Sequence, residues 1–308
     1  MKIDIFAHIL PEKYLKAYSQ KNKSILDWIE AKNPAVTDIN VRLRLMDRFP
    51  DVLQVLTIAQ PALERLVKSE EAIELARIAN DELAELLAKY PDKFVAAVAC
   101  LPMDDIDAAL EEADRAITQL RFKGVQVYSG AGAGSLGDPK FKLLWEKMVG
   151  YDLPIWIHPR SDEVLDEALF GWPYATAAGM WRLVAAGIFN DYPDIKFITH
   201  HCGSLVPYFE KRIRWLAKER LGHFVQKPED HFRKFYNDTA LYGNTAGLML
   251  GYSFFGADHL LFGTDAPLGP GFGLTLETLK SVERMTIPDS DKEKIFIQNA
   301  VNLLRLPL

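Results

Sequence analysis

Cysteine is nearly absent, with Cys100 and Cys202 the two thiols in 308 residues. Two thiols cannot build the disulfide framework of a small secreted fold, and this scarcity favours a reducing compartment. No apolar run reaches the roughly 18 residues that would mark a membrane span. No leader is expected either, since Met1 passes straight into the strand-like Lys2-Ile3-Asp4-Ile5-Phe6-Ala7, without a basic region, an apolar region and a cleavage site. A cytoplasmic protein that makes no use of a membrane is therefore expected. Positive charge is in deficit, with 36 Lys and Arg against 42 Asp and Glu and a net charge of −6. That balance gives no basic footprint for nucleic acid and no cationic face for lipid, although a local basic pocket for an anionic substrate is compatible with it. Asn237-Asp238-Thr239 fits a glycosylation pattern that would be idle without a secretory signal. Low-complexity tracts, solenoid repeats and dividing linkers are all lacking, so one domain over 1–308 is expected.

What is present is an alternation of short apolar strands and amphipathic helices. Strands are expected at 2–7, 52–59, 94–101, 124–129, 154–158, 195–200, 235–239 and 260–264. Eight such strands with intervening helices predict an α/β chain, a (β/α)8 TIM barrel whose strand C-termini converge on one mouth. A length of 308 residues suits one barrel, since these occupy roughly 250 to 400 residues. The clearest helix is 69–90, where Ile73, Ala76, Leu83, Leu86 and Leu87 share a face and Glu70 and Glu71 sit in the first turn. Further helices are expected at 104–121, capped by Asp104-Asp105, at 204–220 and at 291–305. Residues 10–50 are irregular and read as an excursion over the mouth, with Arg42, Arg44 and Asp47 on a short helix. Such long loops are where barrel enzymes place substrate contacts.

Chemistry gathers where the apolar strands stop. His8 ends the first strand, His158 the fifth, His200-His201 the sixth and Asp265 the eighth. A carboxylate straight after Leu260-Leu261-Phe262-Gly263 would be a buried, unpaired charge unless a metal or a cationic partner compensated it. His8, His158 and Asp265 together offer two imidazoles and one carboxylate, which with an open water position is the pattern of a catalytic zinc site. Manganese and magnesium also suit carboxylate and water ligands. His8 could instead be a hydrogen-bonded polar residue in the mouth. His200 and His201 are adjacent, so on a strand only one of them can face the mouth unless the strand has already ended. Arg160 follows His158-Pro159 at the mouth and can anchor a carboxylate, while Trp172 either walls the pocket or belongs to the core. The Gly130-Ala131-Gly132-Ala133-Gly134 run lacks the acidic partner and helix start of a dinucleotide site and reads as a mobile loop, so no organic cofactor is expected. Cys202 has no base reserved for it and is a poor nucleophile.

These residues add up to a family. Ile3-Asp4-Ile5-Phe6-Ala7-His8-Ile9-Leu10-Pro11 resembles the first-strand motif of the amidohydrolase-related decarboxylases, the group that contains aminocarboxymuconate-semialdehyde decarboxylase. Ala79-Asn80-Asp81-Glu82-Leu83 through Tyr90-Pro91-Asp92-Lys93-Phe94, then Ile157-His158-Pro159, then His201 with Gly203 and Pro207, and Gly263-Thr264-Asp265-Ala266-Pro267 continue the match in order. The resemblance covers nearly the whole chain. It implies a distorted barrel, often a homodimer, that removes a carboxylate from an unsaturated or aromatic acid with one divalent metal. It also implies His201 as the active-site base, by its spacing from Pro207 and Arg212, and Arg212 as an arginine offered to the substrate carboxylate, sometimes across the dimer interface. One departure stands out: the usual opening is His-x-His, and here it is Phe6-Ala7-His8, with a benzyl group in place of an imidazole. Two other functions share the same residues. One is hydrolysis or hydration of a lactone or enoic acid by metal-activated water, and the other is a metal-free binding barrel, motivated by Phe6.

Overall fold

The computed structural model describes residues 1–19, 33–60, 62–63, 67–130, 135–160, 167–221, 227–269 and 274–308. Its strands are β1 (Lys2–Ile9), β2 (Val52–Ile58), β3 (Phe94–Ala97), β4 (Ala99–Cys100), β5 (Val125–Tyr128), β6 (Ile155–His158), β7 (Phe197–Thr199) and β8 (Tyr236–Asn237). All pair in parallel, as β1-β2-β3 and as β4-β5-β6-β7-β8. β3 and β4 are one strand broken at Val98, whose N–H donates to Leu56 O at 3.0 Å and so carries the ring across the break. The segment 260–266 closes the other side. Leu261 N–H donates to Asn237 O at 2.8 Å, Ile5 N–H to Phe262 O at 3.0 Å and His8 N–H to Ala266 O at 2.6 Å. Eight staves therefore surround one axis, a distorted (β/α)8 barrel, and each lies where an apolar run was expected. The last is tied in by isolated bridges rather than a continuous ladder.

Inside the ring, Ile3, Ile5, Phe6, Val55, Ala96, Val98, Trp156, Ile198 and Leu261 form a buried cluster, which is how parallel staves fill a barrel. A larger apolar layer lies between staves and helices. The helix Ser69–Lys89 is rotated from the expected face: Ala72, Leu75, Ala76, Ala79 and Leu83 are buried, and Ile73, Leu86 and Leu87 are half-buried. The small alanines make the closer contact, leaving the longer side chains at the margin. The helix Ile106–Thr118 is capped by Asp105, whose side chain accepts from Ala108 N–H at 3.1 Å. The helix expected at 204–220 is two pieces, Leu205–Tyr208 and Glu210–Leu221, kinked at Phe209. Within the excursion after β1, helices span Glu12–Ser19, Pro34–Thr37 and Ile39–Met46.

Asn80 ties a helix to the barrel wall. Its amide donates to Cys100 O at 2.9 Å and to Glu112 Oε1 at 2.7 Å, and its carbonyl accepts from Cys100 N–H at 2.9 Å. Asn80→Leu strands these buried groups, at about 1–3 kcal/mol for each group left unpaired. A clearly lower urea midpoint is the expected result, and an unchanged one would show that the amide bridge carries no stability.

Candidate active site

The histidines at the stave ends converge. His8, His158 and His200 each present a ligand atom, and these atoms all lie within 4.8 Å of one another. Ring centroids are 5.1 Å apart for His8 and His158, 5.1 Å for His158 and His200, and 5.5 Å for His8 and His200. Asp265 joins from the closing stave, with Oδ1 3.0 Å from His8 Nε2. All four side chains are buried.

Local chain geometry brings them there. β7 ends at Thr199, and His201, Cys202 and Ser204 take left-handed φ values of 56°, 51° and 53°. The parity of a strand therefore no longer applies, and the His200 and His201 rings stack at 4.9 Å and 24° instead of pointing apart. Asp265 is also left-handed, at φ 63°, and Ala266-Pro267 is a cis peptide. Non-glycine residues held in this region carry strain and gather at functional sites. Just before it, a Cβ on Gly263 would sit 2.9 Å from Asp238 Cβ, so only glycine lets the closing stave come this close to β8.

The side chains that orient the imidazoles are mostly ones the sequence did not mark. A carbonyl can only accept, so the 2.8 Å contact of His158 Nδ1 with Pro159 O places the hydrogen on Nδ1 and leaves Nε2 bare. Gln60 Nε2 donates to the same carbonyl at 2.6 Å. His200 Nδ1 lies 2.5 Å from Asp238 Oδ2, and its Nε2 faces His8 Nε2 at 3.3 Å. Asp238 is held in turn by Cys202 N–H and Ala240 N–H, each 3.1 Å from Oδ1. His8 Nδ1 meets Thr57 Oγ1 at 2.9 Å. Arg42, from the excursion, is buried beneath: it donates to His8 O at 2.5 Å and, through Nε and Nη2, to Gln54 Oε1 at 3.1 and 2.8 Å. Asp4 accepts from Thr264 N–H at 2.9 Å and Thr264 Oγ1 at 2.5 Å, pinning the closing stave to β1. Burial pushes its carboxyl up to about 7 against those hydrogen bonds.

Electrostatics fit a cation. Burial lowers His8, and burial with the neighbouring His200 and His8 lowers His158 well below the usual imidazole value. Both are then neutral at pH 7, as metal ligation requires. Burial works against Asp265, yet the His8 hydrogen bond and the pull of His8, His200 and His201 hold its carboxyl well below the usual range. Burial is also the largest single influence on His200, yet the charge and hydrogen bond of Asp238, with Asp265 and Asp4, together raise it. Two imidazole nitrogens turned toward each other beside an ionised carboxylate make a donor set suited to a divalent metal. A carboxylate behind one of the rings is the usual arrangement for fixing such a ligand.

The remaining expected residues lie as follows. His201 is buried beside the cluster, its Nδ1 without a hydrogen-bond partner among the described residues. Burial and the adjacent His200 lower it to about 4, so it does not titrate near neutrality as an unburied imidazole would. Arg160 leaves β6 at the mouth, with its N–H donating to Ser129 Oγ at 3.1 Å. Trp172 opens the helix Trp172–Ala185, half-buried, its indole nitrogen also unpartnered among the described residues. The structure does not bring Arg212 to the cluster: it is exposed on the helix Glu210–Leu221, along a groove with Tyr174, Trp181 and Phe209. Asn237, Asp238 and Thr239 are fully buried, so no glycan could reach that pattern. Cys202 is buried, which raises its thiol far above the usual value. The glycine-rich run falls outside the described residues at 131–134.

Residues 3–306 match the sequence pattern of a family described as amidohydrolase. The chain belongs to this amidohydrolase family. It is 31% identical to gamma-resorcylate decarboxylase of Rhizobium sp. (strain MTP-10005) over 302 residues, covering 91% of this chain and 90% of the relative. It is 25% identical to 2-amino-3-carboxymuconate-6-semialdehyde decarboxylase of Dictyostelium discoideum, covering 99% and 92%. Among solved structures, a dihydroxybenzoic acid decarboxylase from Polaromonas sp. JS666, with bound manganese and the inhibitor 2-nitroresorcinol, superposes with a TM-score of 0.83. That structure is 29% identical, over 99% of this chain and 96% of the other. The amidohydrolase barrel and the decarboxylase resemblance read from the motifs thus agree with the relatives found.

Proposed function

We propose that this protein is a metal-dependent, non-oxidative decarboxylase of an aromatic acid carrying a hydroxyl ortho to the carboxylate. The observation that carries this reading is the convergence of His8, His158, His200 and Asp265 at the barrel mouth. Relatives named for resorcylate and for 6-methylsalicylic acid support the ortho-hydroxybenzoate class. His8, His158 and His200, with Asp265, would hold one divalent ion, manganese or zinc, with manganese favoured by the similar solved structure. Bound there, such an ion would supply positive charge that stabilises and orients the acid.

The chain's own groups handle the proton and the carboxylate. Arg160 at the mouth offers a planar guanidinium to the substrate carboxylate. Asp265, ionised in the resting site, accepts the proton released from the phenol, directly or through the neutral His201 ring. It then delivers that proton to the ring carbon bearing the carboxylate. Protonation breaks aromaticity, the carbon–carbon bond cleaves, its electron pair restores the ring, and carbon dioxide leaves. The phenolate takes a proton from solvent on release. Trp172 is read as a wall of the substrate space. We also read a homodimer, supported by Tyr208 and Trp215, 73% and 78% exposed on the same outer segment as Arg212. A cytoplasmic site of action is supported by the scarcity of cysteine, with Cys100 and Cys202 both buried.

The test is a panel of 2,6-dihydroxybenzoate, 6-methylsalicylate and 3,5-dihydroxybenzoate, assayed for carbon dioxide and the matching phenol. Release from an ortho-hydroxy acid and none from the 3,5 isomer is expected. No carbon dioxide from either ortho-hydroxy acid would count against the reading.

A pH dependence follows from His201. A base held at about 4 is neutral above that value and is lost as a proton acceptor only below it. Turnover should therefore be level from about pH 6 to 8, without an inflection near the ordinary imidazole value of about 6.5, and should fall toward pH 4. A titration step near 6.5 in kcat would contradict this role.

A further inference from the structure

Phe6 offers no ligand atom, yet its ring lies face to face on His200, with centroids 3.6 Å apart and planes 27° from parallel. It is fully buried, within the barrel-interior cluster that includes Ile3, Ile5, Val55, Trp156 and Ile198 and with the His8 ring 5.8 Å away, so the ring has little freedom to move. The other face of His200 lies against His201. Its Nδ1 edge is fixed by Asp238. With both faces and one edge held, the remaining Nε2 edge is directed at His8 Nε2, 3.3 Å away. The register of β1 shifts between Asp4 and Ala7, which is where the chain sets Phe6 under His200 and His8 toward Asp265.

We propose that Phe6 is a positioning residue. It clamps the His200 ring so that His200 supplies the third imidazole of the metal centre in place of any ligand at position 6, and His201 is left to the substrate. This inference rests on the metal-dependent reading above and extends it to the residue that departs from the expected His-x-His opening. Phe6 is thus the partner of an imidazole moved from β1 to the exit of β7. Loss of an outer partner of a metal-bound histidine typically weakens metal affinity by about 10–100-fold, which is the effect expected here.

The experiment measures Mn(II) affinity by calorimetry, and the visible spectrum of the Co(II)-loaded protein, for the parent, Phe6→Leu, His200→Gln and His201→Gln, with circular dichroism to confirm folding. Leucine keeps apolar bulk in the barrel but cannot stack. Phe6→Leu should bind Mn(II) at least about tenfold more weakly, with a shifted Co(II) band. His200→Gln should lose more than Phe6→Leu, and His201→Gln, which removes a more distant ring and no ligand, should lose the least of the three. A Phe6→Leu protein with unchanged affinity and spectrum would overturn the proposal, as would metal loss in His201→Gln but not in His200→Gln. A parent that binds no Mn(II) would overturn the metal reading itself, a distinct result. Should Phe6→Leu fail to fold, crystals of the Mn(II)-loaded parent decide it by anomalous scattering. An ion at bonding distance from His200 Nε2 supports the assignment, and one bound to His201 instead overturns it.

Discussion

Asp265→Asn is expected to lower decarboxylation turnover by about 10²–10⁴-fold, the range for losing a positioned proton-transfer group. The substitution isolates charge. Asparagine has the same shape and is among the few residues at home in the left-handed region, so the φ of 63° at this position is kept. What is lost is the anion that faces His8 at 3.0 Å and that His8, His200 and His201 together hold ionised. On the proposed mechanism, the site without it cannot accept the phenolic proton or return it to the ring carbon, and its hold on a cation weakens. The measurement is kcat at saturating metal and substrate, beside a thermal melt. A folded variant within a factor of ten of the parent would remove Asp265 from the proton's path.

Metal removal is expected to have an effect at least as large. Dialysis against a chelator should abolish turnover, and Mn(II) should restore it up to one equivalent per chain. Stability should move in the same direction. Three buried imidazoles and a carboxylate gathered within a few ångströms would, on the proposed reading, bind a cation in the folded chain and not in the unfolded one. Free metal at about a thousand times Kd would then add about 4 kcal/mol to unfolding. A chelated protein that keeps full turnover and an unchanged melt would rule out a functional metal. Partial restoration by zinc and full restoration by manganese would select between the two ions.

The staves were legible because a parallel barrel strand is apolar on both sides and stops sharply at the mouth, as in Pro154-Ile155-Trp156-Ile157-His158. That sharp stop is also what made His8, His158 and Asp265 readable as mouth residues. Asp238 ends β8 in the same way, 2.5 Å from His200, but a strand of two residues inside an apparent glycosylation pattern gave it no contrast. His200 and His201 could not be ordered from alternation, because alternation assumes an extended chain and the backbone turns left-handed at His201. Thr57, Gln60 and Arg42 act from β2, from the loop after it and from the excursion, and such short polar side chains or lone arginines look like any surface residue until the barrel closes over them. The helix Ser69–Lys89 lies where the pattern predicts but is turned, since small alanines rather than large side chains make its closest packing.

The most direct measurement of the central claim follows the carboxyl carbon and the incoming hydrogen together. The purified, Mn(II)-loaded protein is given 2,6-dihydroxybenzoate labelled with carbon-13 in the carboxyl group, in heavy water containing oxygen-18. The account predicts one labelled carbon dioxide for each resorcinol formed, one deuterium at the vacated ring carbon, and no solvent oxygen on the ring. Retention of the labelled carboxyl in a product that has gained oxygen-18 would contradict it and establish addition or hydrolysis by activated water instead.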